Sequence, residues 1–175
     1  AALPQDVLIE GLTTFGGELY SFPMFSFRFH EVLTWFNRQL LADAGYDPEV
    51  GVQTWDEFRD ASQKITAAGG GTVFGWMQGI GHLERMADSL VSLAKAAGSP
   101  GVTDWLTGEY QYASDTFVNT LEFLVSLSVD GLLSPSGITI DTRNARARWA
   151  AGEGGLFFDG PWNIGVLVGG FPDFI

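Results

Sequence analysis

Residues 152–163 read Gly-Glu-Gly-Gly-Leu-Phe-Phe-Asp-Gly-Pro-Trp-Asn. Three of these side chains can do binding chemistry. Trp162 offers a flat indole for stacking, and Asp159 and Asn163 can hydrogen-bond a ligand beside it. The elements that position them are legible in the same stretch. A short apolar run (Leu156, Phe157, Phe158) between glycine-rich breaks reads as a buried strand. Gly160-Pro161 then turns the chain, and proline suits the first position of a helix, where its missing N–H would be unpaired anyway. Trp162 therefore falls where a strand hands over to a helix, the end of an open α/β sheet at which ligands bind. The competing reading makes it one more core aromatic among six tryptophans.

Other residues invite the same question. A strand over 72–77 leads into Gln78-Gly79-Ile80-Gly81-His82, which places Trp76, Gln78 and His82 at a strand's C-terminal end. Arg28 and His30 project from one face of an aromatic-rich run over 18–29 if that run is extended. They line a cleft or simply meet water, and Pro23 makes the run an edge strand or a crossing segment. Glu153 and Asp159 are the carboxylates nearest in sequence that could face one cleft. An extended run between them would exceed the separation of about 5–10 Å that paired-carboxylate glycoside hydrolysis uses. Arg143, Arg146 and Arg148 form a small basic cluster, read as a solvated helix face.

Composition excludes several classes. The chain has 175 residues, 46% of them hydrophobic, enough for one domain with a real core or two very small ones. Its net charge of −12 opposes non-specific binding to nucleic acid and to anionic lipid. It has no cysteine and two histidines, so disulfides, thiolate sites and a histidine-rich metal site are not expected. No Asp-x-Asp-x-Asp-Gly loop, phosphate loop or dinucleotide-binding glycine pattern occurs, and no metal or cofactor is expected. No apolar run approaches about 18 residues, the length of a membrane-spanning helix.

In chain order, Gly16-Gly17 signals a tight turn between short strand-like runs. Residues 31–36 form a strand, Asn37 caps a helix over 38–44, and Gly45 closes it. Thr54 to Glu57 spell a capping box, with Glu57 reaching back to the Thr54 amide, for a helix to residue 68. Its inner face carries Trp55, Phe58, Ala61, Ser62 and Ile65. Leu83, Met86, Ala87, Leu90, Val91, Ala94 and Ala97 fall at helical spacing as a core stripe, closed by Gly98. A turn-rich excursion over 99–114 precedes a helix capped by Asp115, with Phe117, Leu121, Leu124, Val125 and Ser128 inward. Residues 132–140 read as a loop, and Asp141 or Thr142 opens a helix through 151. This order of strands and helices implies an α/β fold with parallel pairings.

Three signatures then occur in order: Gly17-Glu18-Leu19-Tyr20-Ser21-Phe22-Pro23 running into residues 35–45 (Trp-Phe-Asn-Arg-Gln-Leu-Leu-Ala-Asp-Ala-Gly), Thr54-Trp55-Asp56-Glu57-Phe58, and Ala147-Arg148-Trp149-Ala150-Ala151-Gly152 followed by Phe158-Asp159-Gly160-Pro161-Trp162. Together they resemble the carbohydrate-type extracellular solute-binding proteins of ATP-driven (ABC) importers, the maltodextrin-binding group in the broad sense. The resemblance covers residues 17–165. It implies a periplasmic-binding-protein type II-like fold, mainly one lobe of a two-lobed clamshell that closes on a sugar and delivers it to a membrane permease. Residues 1–29 would be the end of the first lobe and a hinge-crossing segment, and residues 30–175 the second lobe. The chain reads as a piece cut from a longer protein, starting without Met and ending on Phe171-Pro172-Asp173-Phe174-Ile175. The resemblance also implies an extracytoplasmic, monomeric, non-catalytic protein. It carries ligand stacking to Trp162, further contacts to Trp76 and Gln78, and a polar hinge contact to Arg28 or His30.

Two other functions compete. One is a glycoside hydrolase-like domain using Glu153 and Asp159. The other is a docking fragment whose aromatic surface around residues 25–29 is an exposed lobe interface.

Overall fold

A computed structural model describes residues 8, 10–11, 13–21, 32–104 and 107–170. Contacts divide the chain into two units, Ala1–His30 and Glu31–Ile175. In the first, β1 (Thr14–Phe15) and β2 (Glu18–Leu19) form an antiparallel hairpin across Gly16-Gly17. Both glycines have positive φ, 62° and 81°, as a two-residue hairpin turn with strand-matching twist requires. Glu10 braces the turn by accepting from the Thr14 hydroxyl at 2.8 Å.

The second unit contains β3 (Leu33–Phe36), α1 (Arg38–Asp43), α2 (Trp55–Ala68), β4 (Phe74–Trp76), α3 (Leu83–Ala96), α4 (Asp115–Val129), α5 (Thr142–Arg148), β5 (Gly154–Asp159) and α6 (Asn163–Gly170). Its sheet has the order β3-β5-β4, with β3 antiparallel and β4 parallel to β5. The central strand is buried at all six residues, which is why its sequence is a continuous apolar run and not an alternating one. Its side chains still alternate between two cores. Leu156 and Phe158 face Leu41 of α1, Phe58 and Ala61 of α2, and Leu124 and Leu127 of α4. Phe157 faces the other way, onto Ala145 of α5, Leu167 of α6 and Trp149.

Local chemistry sets the helix ends. The Asn37 side chain accepts from the amides of Gln39 and Leu40, both at 3.1 Å. At the other end of α1 the Tyr46 amide reaches back to the Leu41 carbonyl (3.1 Å) over Gly45, whose φ is 87°. Thr54 caps α2 by accepting from the Glu57 amide at 3.1 Å. The return bond differs from a capping box: Glu57 accepts from the Gln53 amide (2.6 Å), the unpaired N–H one residue further out. Phe58, Ala61, Ser62 and Ile65 are the buried face of α2, while Trp55 is half-buried and stacks on Phe123 with ring centres 4.8 Å apart. The α2 backbone lies against the sheet at Gly75, where a Cβ would come 2.2 Å from Ser62 backbone atoms.

Several expectations need correction. On α4 the buried residues are Phe117, Thr120, Leu124 and Leu127, whereas Leu121, Val125 and Ser128 are exposed. Val118, Leu121, Val125 and Val129 widen the apolar arc beside the polar stripe of Asp115, Asn119 and Glu122, so periodicity alone does not choose which part of that arc faces in. On α3 Ala94 is buried and Met86, Leu90 and Leu93 pack against the core, but Leu83 is exposed. Residues 132–140 also carry more structure than a loop. Leu133 bridges beside Trp76, and a 3-10 turn follows at Pro135–Ile138. Helix α5 ends at Arg148 in a π turn (Trp149–Glu153), which releases the chain into β5 at Gly152, φ 86°.

Tyr46 packs on the α1–α2 side of the core and donates its hydroxyl to Asp60 at 2.7 Å. Burial, and then the Asp60 carboxylate, push its phenol from 10.0 up to about 12. A raised phenol leaves stability intact below its unfolded value of 10.0 and removes it as pH rises through about 12. Tyr46→Phe should therefore flatten the alkaline fall in Tm over that window and remove a tyrosinate absorbance step near its top.

Candidate functional site

The C-terminal end of β5 gathers most of the polar side chains singled out by sequence. Asp159 is its last residue and is 3% exposed. Its Oδ2 accepts from Arg146 Nε at 2.7 Å and Nη2 at 2.6 Å, and its Oδ1 accepts from the Gly160 amide at 2.8 Å. Its backbone carbonyl accepts from Trp35 Nε1 at 2.9 Å. The carboxylate is thus committed to holding the turn. Arg146 does not lie on a solvated face as the sequence suggests, because a buried carboxylate requires a charged partner. Arg148 does sit at the surface, between the Ser136 hydroxyl (2.9 Å) and Glu153 (3.4 Å).

The turn so held carries Trp162, which is 44% exposed. Its benzo ring lies face-on to the Gly160 α-carbon: a Cβ at Gly160 would come 2.0–2.2 Å from three ring carbons. The Arg85 guanidinium lies over the same indole, 4.9 Å from the ring centre. Asn163 opens α6 and is fully buried, and neither end of its side-chain amide finds a hydrogen-bond partner among the described residues.

Gln78 joins β4 to this end of β5. It is 1% exposed, and its Oε1 accepts from the Phe158 amide at 3.1 Å. The loop after it is pinned by Ile80 donating to the Gly137 carbonyl (2.9 Å) and Gly81 to the Ile140 carbonyl (3.1 Å). A Cβ at Gly79 would meet the Asp141 carbonyl at 2.4 Å, so that loop is tight as well as bonded. Trp76 does not join the group. Strand alternation turns it into the α2–α4 core, where it is 1% exposed and meets Phe158 edge-on at 5.9 Å. His82 immediately precedes α3. Arg28 and His30 lie outside the described residues. Glu153 stands at the opposite end of β5 from Asp159, so a strand of six residues, about 20 Å long, separates the two carboxylates. With each paired to its own arginine, they cannot flank one glycosidic bond. No cluster of three or more potential metal ligands occurs among the described residues.

The family model for bacterial extracellular solute-binding proteins matches residues 9–174. The chain belongs to that family. No curated protein is found to match it. Among solved structures, it superposes on an ABC transporter solute-binding protein of Thermotoga lettingae bound with α-D-tagatose, at TM-score 0.68 and 23% identity. That match covers 81% of this chain and 36% of the other. A chitin oligosaccharide binding protein matches at TM-score 0.69 and 21% identity, over 89% of this chain and 37% of its own. The GacH receptor of Streptomyces glaucescens, solved unliganded and with acarbose, matches at TM-score 0.66 and 18% identity, over 97% and 39%. Each likeness shows the fold, that of type II periplasmic binding proteins. The chain spans under two-fifths of the length of each of the three, as one lobe would.

The sequence places Arg146 on a solvated face and does not single out Arg85. For Arg146 a signal exists: Asp159 ends a strand whose apolar run predicts burial, so some cation must meet it, and the three arginines of α5 are the nearest cluster. Nothing local marks Arg85, since its place in the first turn of α3 is matched by Arg38 in α1 and Arg143 in α5.

Removing one partner of the buried pair leaves the other charge uncompensated. Arg146→Ala should destabilise the solute-binding chain by about 3–5 kcal/mol in urea titrations. The double variant Arg146→Met, Asp159→Leu should recover part of that loss, with the Gly160 amide still missing its acceptor.

Proposed function

We propose that this chain is the larger part of one lobe of a sugar-binding protein, and that Trp162 is a platform on which a sugar ring stacks. One observation carries this reading: a half-exposed indole, held at the C-terminal end of the central strand by a turn that the buried Asp159 fixes. Apolar C–H faces of a sugar match such a surface, and planar polar groups beside it fix the hydroxyls. Family membership supports solute binding, and the tagatose and acarbose bound to two of the structural neighbours support the carbohydrate class.

In this reading residues 1–29 end the first lobe and cross the hinge, and residues 30–175 form the second. Arg28 or His30 meets the ligand near the crossing, and Gln78, Asp159 and Asn163 shape the floor beneath Trp162. Closure of the two lobes on the ligand is a population shift between open and closed forms. The closed, monomeric protein works outside the cytoplasm, presents the sugar to a membrane permease of an ABC importer, and uses neither catalysis nor a cofactor. Trp76 supplies packing. Among the described residues no helix is long and apolar enough to cross a membrane.

Titrating tryptophan fluorescence with tagatose, maltose, laminaribiose and N,N′-diacetylchitobiose tests this. At least one sugar should give a saturable change without product, and Trp162→Ala should weaken it by at least tenfold. A saturable change that survives Trp162→Ala removes Trp162 from the site, and no response to any sugar removes the carbohydrate assignment.

A further inference from the structure

Arg85 meets the Trp162 indole from a neighbouring helix. It is the third residue of α3, within the turn where a positive charge meets the positive end of the helix dipole. It is half-exposed, and its guanidinium lies over the Trp162 indole at 4.9 Å from the ring centre. The same side chain reaches Asp88, three residues on, through Nη1 at 3.3 Å. Two neighbours therefore occupy indole surface that a stacking ring would need. One is the Gly160 backbone, which the Asp159 carboxylate fixes by accepting from its amide. The other is a long side chain on an exposed helix turn, which can move.

A sugar ring and the guanidinium exclude each other on the face that Arg85 covers, because no ring fits between a guanidinium and an indole 4.9 Å away. We propose that Arg85 is the displaceable cover of the Trp162 platform. The inference rests on Trp162 being the stacking surface. In the empty chain the cation–π contact shields part of the indole, which is still 44% exposed, from water. An arriving sugar takes the face, and Arg85 swings off it while keeping the ion pair that it already makes with Asp88, so the displaced charge stays paired. The ligand class that suits such a site is a neutral saccharide with an apolar ring face, since the carboxylate beside Arg85 already matches its charge. Asp88 thus gives the cover a resting place and the site a bias against anions.

The test uses the 175-residue chain with maltose, laminaribiose and N,N′-diacetylchitobiose as probes. Without sugar, Arg85→Ala should raise acrylamide quenching of tryptophan fluorescence, and the rise should vanish in a Trp162→Phe background. With sugar, Arg85→Ala should tighten binding by about 2- to 5-fold, the equivalent of one exposed cation–π contact. Arg85→Lys, with a more strongly hydrated ammonium, should fall between the two. Unchanged quenching overturns the cover, whether or not a sugar binds. Weaker binding in Arg85→Ala also overturns it, making Arg85 a ligand donor. If quenching changes as expected but Trp162→Ala leaves binding intact, the cover stands and Trp162 as the stacking surface falls.

Discussion

A buried carboxylate at the end of a buried strand constrains everything around it. Asp159 cannot be solvated, so it must find donors, and it finds them in the Arg146 guanidinium and the Gly160 amide. The first ties α5 to the end of β5, across the π turn that separates them in sequence. The second sets the direction in which the chain leaves the sheet. From that direction follow the position of Pro161, the entry into α6 and the surface on which the Trp162 indole rests. The glycine is required for a related reason: any side chain at residue 160 would enter the space of the ring. One ion pair and one missing Cβ therefore define where the indole lies.

The two cores make that end of the sheet rigid from both sides. Phe158 stacks on Phe58 at 5.0 Å on the α2 face, and Phe157 stacks on Trp149 at 5.8 Å on the α5 face. Each aromatic pair adds about 0.5–1.5 kcal/mol beyond its burial. More to the point, neighbouring residues of one strand are clamped in opposite directions, so β5 cannot rotate to release Asp159. Gln78 completes the clamp by accepting from the Phe158 amide on a strand that would otherwise end there. A site built this way positions its groups before any ligand arrives, which lowers the entropic cost of binding.

The fold was legible where local chemistry and packing agree. Asn37, Thr54 and Gly45 are helix-end residues by type, and the order of strands and helices in the second unit follows from them and from the apolar runs between. The inner face of α4 was only partly legible: Asp115, Asn119 and Glu122 mark the outside, but the apolar arc opposite them is too wide to show that Leu121 and Val125 stay exposed. The same limit applies to Trp76. An aromatic near a strand's end reads equally as platform or as core, and only the register of β4 against β5 decides, since one residue reverses the face. At the candidate site, the stretch ending at Asn163 brings Asp159, Trp162 and Asn163 to one end of β5. Pattern alone did not separate the committed Asp159 and the buried Asn163 from the half-exposed Trp162. That distinction depends on Arg146, 13 residues away from Asp159, and on Arg85 of α3, which α4, α5 and β5 separate from Trp162 in sequence.

The ion pair is a poor candidate for a stabilising device in its own right. Taking both charges out of water costs several kcal/mol per ion, and the attraction between them roughly offsets this. An apolar pair of similar volume would do as well for stability. It would not orient the Gly160 amide, and it would leave the turn free to adopt other exits from the strand. The same logic extends to Arg85, whose place in the first turn of α3 costs about 0.3–1 kcal/mol against the helix dipole. Arg85 is not alone in this, since Arg38 and Arg143 stand in the first turns of α1 and α5, whereas Asp56 and Glu57 suit the first turn of α2 and Lys95 the last turn of α3. What sets Arg85 apart is therefore not its place on the helix but what it covers: its guanidinium lies over the Trp162 indole, whereas Arg38 pairs with Glu49 at the surface.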